Sequence, residues 1–178
     1  MMPISINGSG TVTGISVGGL PDGIVDTDML AAAAVTAAKR GAGAILQVVY
    51  GYANGQITNN TSTYADTGLS ATITPSSTSN KILVLASQAC NQKSGNNYFR
   101  MRLLRNSTEI AKIDDGAGYT NNSNDNIVGT ISCDLMDTPV DTNAHTYKLQ
   151  FMTPSNSALV LINCNNALST MLLMELAR

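Results

Sequence analysis

From Ile45 to the C-terminus, short segments with alternating apolar and polar residues follow one another, and this pattern constrains the fold more than any other feature. The segments are rich in β-branched, aliphatic and aromatic residues, and turns of Asn, Ser, Thr, Asp, Gly and Pro separate them. The pattern predicts nine strands, at residues 45–53, 64–74, 81–90, 97–105, 108–113, 126–136, 144–152, 158–164 and 169–177. Short strands at this spacing predict an all-β fold, an antiparallel β-sandwich (jelly roll) of about 8–9 strands.

Three of these segments are apolar on both faces, namely residues 82–85 (ILVL), 159–162 (LVLI) and 171–174 (MLLM). In an antiparallel sandwich one face of each strand meets water, so a continuous apolar run predicts that the second face is also covered. Neighbouring subunits are the simplest cover. The residues that we expect at such an interface are Leu83, Leu85, Met171 and Leu173.

Residues 1–23 (MMPISINGSGTVTGISVGGLPDG) have a different pattern, in which isolated apolar residues lie among Gly and Ser. These apolar side chains are too few and too widely spaced to form a core. The pattern predicts an extended arm that becomes ordered against a partner, for example by adding a strand to a partner sheet. The anchoring residues in this prediction are Ile4, Ile6, Val12, Ile15 and Val17.

A short alanine-rich element follows the arm at residues 24–43 (IVDTDMLAAAAVTAAKRGAG). Asp26 or Thr27 can cap a helix, and glycines end it, although a weak internal repeat favours two short turns as an alternative. Either form is too short to be stable alone. We therefore expect Met29 and Leu30 to pack against other copies around an oligomer axis. The predicted domains are an arm with one short helix (residues 1–44) and a β-sandwich knob (residues 45–178).

Composition limits the classes of partner. Charged residues make up 12% of the chain, about half of the usual fraction, and the net charge is -2. Binding to nucleic acid needs a basic patch, and the nearest candidate, Arg100, Arg102 and Arg105, is interpreted as a solvated or interface face. No apolar run is long enough to cross a membrane, and the N-terminus lacks the features of a secretory signal. The expectation is synthesis in a cytoplasm, with neither nucleic acid nor membrane as partner.

The three cysteines, Cys90, Cys133 and Cys164, fall in separate segments without metal-ligand spacing. An odd number argues against a complete disulfide framework. We interpret all three as small core or half-buried residues.

No motif indicates catalysis. His145 is the single histidine, and no nucleophile is placed with it, so the chain is not expected to be an enzyme or to bind a cofactor. The acidic and Asn-rich loop at 114–126 matches no calcium-binding spacing. Its Tyr and amide groups suit adaptable contacts, and this gives a candidate receptor loop. Its residues are Asp115, Tyr119, Asn121, Asn122 and Asp125.

Several segments carry a resemblance to a known group of proteins. They are GIVDTDMLAAAAVTAAKRG, ILQVVYGY, YADTGLSATITPSSTSNKILVLAS, RMRLLRNSTEI and STMLLMELAR. In type and order they resemble trimeric surface proteins of tailed bacteriophages, including cyanophages, that have a tumour-necrosis-factor-like β-sandwich. The resemblance implies a homotrimeric capsid decoration (cement or knob) protein on the virion, bound to the major capsid protein or another virion protein.

The resemblance also leaves an alternative: a tail-fibre tip or a module that recognises a host cell-surface glycan. The absence of a long shaft segment favours the capsid. A polysaccharide depolymerase, the third class, would need a pair of carboxylates at a set separation in a cleft, and no pair stands out.

Overall fold

The structure, a computed structural model, describes residues 5–6, 12–13, 35, 39–121, 124–154 and 158–178. The chain divides into two compact units, residues 1–40 and 41–178. In the first unit β1 (Ser5–Ile6) pairs antiparallel with β2 (Val12–Thr13), and Ile6 lies opposite Val12. The other predicted anchoring residues, and the predicted helical residues Met29 and Leu30, lie outside the described residues.

The second unit is all-β and antiparallel, which confirms the predicted fold class. Its strands are β3 (Ile45–Ala53), β4 (Ile57–Asn59), β5 (Ala65–Ile73), β6 (Lys81–Lys93), β7 (Phe99–Arg105), β8 (Thr108–Ala117), β9 (Asn126–Asp137), β10 (His145–Met152), β11 (Val160–Ile162) and β12 (Ser169–Leu176). All nine predicted segments contain a strand. Strand β4 was not predicted, because its three residues lie among turn-forming ones.

Two sheets face each other. In the first sheet β6 pairs with β9 on one side and with β12 and β11 on the other. Strands β3 and β4 then pair with the outer edges of β12 and β11. The second sheet has the order β5-β10-β7-β8.

Alternating side chains of both sheets fill the space between them. Strand β5 shows the pattern clearly, because Leu69 and Ile73 are buried while Ser70 and Thr72 are exposed. The rings of Phe99 and Phe151 lie in the same core with their centroids 6.4 Å apart. Apolar burial of this kind is the main free-energy gain of folding.

Glycines allow the edges of the two sheets to approach. A Cβ atom at Gly51 of β3 would collide with the backbone carbonyl of Ser70 in β5. On the opposite edge, Gly118 follows β8 with a φ of +71°, and a Cβ there would meet the side chain of Val128 in β9. Any larger residue at either position would force the two edges apart.

A disulfide joins Cys90 of β6 to Cys164, which follows β11. Cys164 is buried and Cys90 half-buried, as expected, but the disulfide between them was not predicted. The pair lies 74 residues apart, so spacing in the sequence gives no signal for it. Cys133 is a half-buried free thiol, as expected, and burial with the nearby Asp134 carboxylate raises its pKa to about 11.

Candidate interaction surface

Strand β12 shows which side chains point outward from the first sheet. Met171 and Leu173 are fully buried in the core, whereas Leu172 and Met174 are only partly buried. The prediction that Met171 and Leu173 lie at an interface is therefore corrected, because the chain itself covers these two side chains. Their neighbours on the same strand occupy the outer face.

The outward side chains form two apolar rows across the sheet. In one row Met174 lies opposite Val48 of β3 and Leu83 of β6, and Leu83 lies opposite Met136 of β9. In the other row Leu172 lies opposite Tyr50 and Leu85. Together with Tyr52, these residues form what we call the apolar face: Val48, Tyr50, Tyr52, Leu83, Leu85, Met136, Leu172 and Met174.

Two tyrosines give the apolar face its most exposed part. Tyr50 and Tyr52 are 56% and 64% exposed, and their rings stack with centroids 6.1 Å apart. Large aromatic side chains held side by side on a strand lose little conformational freedom when a partner covers them. Leu83 and Leu85, both predicted from sequence, lie on this same face, and Leu85 is 36% exposed.

The two apolar rows carry almost no charge. Asp134, opposite Leu85, is their single charged side chain. Beyond it, Ser87, Ser132 and Thr170 give the sheet a polar margin. A shallow depression lies between Leu85, Leu172 and these polar residues.

The outward side of the second sheet is charged. Lys148 Nζ lies 3.0 Å from Asp66 Oδ2, and Arg102 Nη1 lies 3.0 Å from Glu109 Oε2. Burial alone would raise the pKa of Asp66, but hydrogen bonds from Gln150 and Lys148 outweigh it and lower that pKa. The two outer faces of the sandwich are therefore chemically different.

The candidate receptor loop lies at one end of the second sheet. Tyr119 is 58% exposed, and its ring meets that of Tyr98 edge to face with centroids 6.0 Å apart. Asp115 pairs with Arg100, and the amide of Asn96 donates a hydrogen bond to Asn121 Oδ1 at 3.3 Å. Asp125 is exposed, and Asn122 lies outside the described residues. The structure thus brings Asp115 and Tyr119 into one cluster with Tyr98 and Arg100, which the sequence did not suggest.

His145 is buried at the start of β10, with Nε2 lying 3.2 Å from Asp141 Oδ1. Among the described residues, no three His, Cys, Asp or Glu side chains are close enough to hold a metal ion. Within that same part of the chain, no helix has the length and apolarity needed to span a bilayer.

Comparison of the sequence with models of known protein families and with curated proteins found no match. Sequence reasoning missed Val48, Tyr50 and Tyr52, although the alternation of the two tyrosines with Gly51 and Ala53 was a usable signal that both tyrosines point to one side.

Proposed function

We propose that this chain is a virion structural protein, a homotrimeric β-sandwich knob that decorates the capsid of a tailed bacteriophage. The observation that carries the proposal is the apolar face, which occupies part of one outer side of the sandwich while the other outer side is charged. A contiguous exposed apolar face of this kind typically marks a protein–protein contact.

The occupant of the apolar face is another copy of the chain. A face with one carboxylate and no basic group in its central rows offers nothing to a charged partner. It is complementary to an equally uncharged surface, which every copy presents. Cyclic symmetry closes such contacts without leaving an apolar face exposed.

The expected energies indicate that most of the face takes part. Full burial of a Leu, Met or Tyr-sized side chain contributes roughly 1.5–3 kcal/mol, and association costs about 4–15 kcal/mol in lost freedom. A few contacts are therefore insufficient, whereas eight side chains suffice even though several are already half-buried. One charge introduced at the centre should consequently prevent assembly.

The order of the strands supports a jelly roll of the tumour-necrosis-factor-like type. From β4 to β11, consecutive strands lie in different sheets except at the β7–β8 hairpin. The sheets are thus formed from strands that are distant in the sequence, which is typical of jelly rolls.

Location on a particle surface agrees with two further features. Disulfides persist on virion surfaces but are rare in the cytosol, and Cys90–Cys164 is a disulfide. In the arm, Ile6 and Val12 are paired on β1 and β2, and we propose that the arm anchors the knob to the major capsid protein.

Immunogold labelling of purified phage tests this location. Labelling of heads supports it, labelling of tails supports a fibre tip instead, and unlabelled particles contradict both.

A charge at the centre of the apolar face tests the assembly. Leu172→Asp places a carboxylate between Tyr50 and Leu85 and should convert the oligomer to a folded monomer, as measured by light scattering and circular dichroism. Thr72→Asp is the matched control, because Thr72 is an exposed residue on the other sheet. An L172D protein that keeps the oligomeric mass of the unchanged protein would contradict the proposal.

A further inference from the structure

Aromatic and charged side chains form a continuous strip on the outward side of the second sheet. Strand β7 contributes Arg100 and Arg102, which lie two residues apart and therefore point to the same side, about 7 Å from each other. Three tyrosines and two carboxylates surround them. We call this set the Tyr–Arg strip: Tyr64, Tyr98, Arg100, Arg102, Glu109, Asp115 and Tyr119.

At one end of the strip, four contacts hold Arg102 in a fixed position. Its Cζ atom lies 3.9 Å from the centroid of the Tyr64 ring. Its Nε and Nη2 atoms donate to Gln150 Oε1 at 2.9 and 2.7 Å, and its Nη1 atom donates to Glu109 at 3.0 Å. The guanidinium plane, the ring and the two acceptors are therefore set before any ligand arrives.

At the other end, Arg100 is held in a similar way. Its Cζ atom lies 5.6 Å from the centroid of the Tyr98 ring, and its Nε atom lies 2.5 Å from Asp115 Oδ1. Its Nη2 atom donates to the Tyr98 hydroxyl at 3.3 Å. Tyr119 extends the aromatic surface from Tyr98 into solvent.

The chemistry of the strip fits a saccharide. Ring faces offer apolar area to the C–H side of a sugar, while guanidinium, carboxylate and amide groups offer planar donors and acceptors to hydroxyls. Each guanidinium is paired with a carboxylate, so the seven residues of the strip carry no net charge, and Lys112, opposite Arg102 on β8, adds one positive charge beside them. Because the groups are already held in place, binding costs little side-chain entropy.

We propose that the Tyr–Arg strip is a binding site for neutral polysaccharide. The strip lies on the sheet opposite the apolar face, so it stays accessible when copies associate through that face. Each site is formed by residues of a single chain, so binding does not depend on assembly. Several strips on one oligomer would add avidity.

Affinity electrophoresis of the intact protein tests the proposal. The protein migrates through native gels that contain a neutral glucan, mannan or galactan, and through gels that contain alginate or heparin. At least one neutral polysaccharide should retard the protein. Tyr98→Ala and Tyr119→Ala should each raise the dissociation constant about tenfold, because each removes one ring from the binding surface.

Matched variants separate binding from folding. Tyr119→Phe keeps the ring and should retain most of the affinity, and Thr72→Ala, on the same sheet but outside the strip, should leave it unchanged. Retardation by alginate or heparin alone, no retardation in any gel, or equal retardation of the alanine variants and the unchanged protein would each overturn the proposal. The oligomeric mass of the protein, which tests assembly through the apolar face, is measured separately, so a failure of saccharide binding does not affect that proposal.

Discussion

Glu175 is fully buried near the end of β12, yet it is well provided with hydrogen bonds. Its carboxylate accepts hydrogen bonds from Gln47 Nε2 at 2.6 Å, Asn80 Nδ2 at 2.7 Å, and the backbone N–H and hydroxyl of Ser76 at 2.6 and 2.8 Å. Burial alone would raise the pKa of Glu175, but these donors outweigh burial and lower it. The carboxylate thus links β12, β3 and the β5–β6 turn.

A lowered pKa in the folded state means that the ionised form of Glu175 stabilises the fold. This contribution is complete above the pKa of the unfolded chain, about 4.3, and disappears as the pH falls through the lower folded-state pKa. Glu175→Gln replaces one acceptor oxygen with an NH2 group, which would face the donors of Gln47, Ser76 and Asn80. The variant should be about 2–3 kcal/mol less stable at pH 7.

Urea denaturation at pH 7 and pH 3, at equal chain concentration, measures this difference. The difference in the free energy of unfolding between the unchanged protein and the Glu175→Gln variant should be smaller at pH 3, because protonation of Glu175 removes the stabilising carboxylate. A gap that stays constant between the two pH values would show that the charge of Glu175 does not stabilise the fold.

At the scale of single strands, alternation in the sequence predicted most of the sandwich. Residues 146–151, for example, alternate strictly, and the structure confirms both the strand and its buried side: Tyr147, Leu149 and Phe151. Alternation is reliable here because one face of each strand meets the core and the other meets water.

Strand β12 shows where this reasoning fails. The run from Met171 to Met174 is apolar on both sides, so it contains no information about which side is buried. The flanking residues mislead as well, because Ser169 and Glu175 share the buried side with Met171 and Leu173. They are buried because distant residues satisfy them; Gln88, for example, donates to Ser169 Oγ at 2.8 Å. Partners this far apart in sequence cannot be found from local pattern.

The disulfide between β6 and the segment after β11 should stabilise the sandwich. It closes a loop across a sequence separation of 74 residues, and the chain-entropy model gives about 4 kcal/mol for a loop of this length. Cys90→Ser should therefore lower the free energy of unfolding by about 2–4 kcal/mol in denaturant titrations.

Cys133→Ser is the matched control for this prediction, because Cys133 is a free thiol whose raised pKa keeps it protonated at neutral pH. It should change stability much less than Cys90→Ser. Thiol titration of the unfolded, unreduced protein should find one free thiol per chain. Three free thiols, or equal effects of the two substitutions, would contradict the role given to the disulfide.

At the scale of the whole molecule, the sandwich has two outer faces that differ in chemistry. The apolar face is suited to association between copies, and the charged face with the Tyr–Arg strip is suited to contact with a hydrated ligand. The sequence predicted an interface from its doubly apolar segments and placed Leu83 and Leu85 on it. The alternation in β3 indicated which of its side chains point outward, but only strand pairing shows that they share a face with Leu83 and Leu85.

The apolar face belongs to residues 41–178, which form a compact unit separate from residues 1–40. Gly43 and Ala44 belong to this unit by their hydrogen bonds, since the N–H of Gly43 donates to the Ala177 carbonyl at 2.8 Å and the N–H of Ala177 donates to the Ala44 carbonyl at 2.9 Å. Assembly through the apolar face should consequently persist in a fragment that starts at Gly41.

The proposed trimer is tested by the solution mass of the intact protein, measured by light scattering after size exclusion, with the fragment 41–178 measured alongside. Three chains of 18.6 kDa give about 56 kDa, which is the result that we expect for the intact protein. The fragment should also be trimeric. A trimer only with residues 1–40 present would move the interface to the N-terminal unit, and a monomer of 18.6 kDa would contradict the assembly proposed for the apolar face.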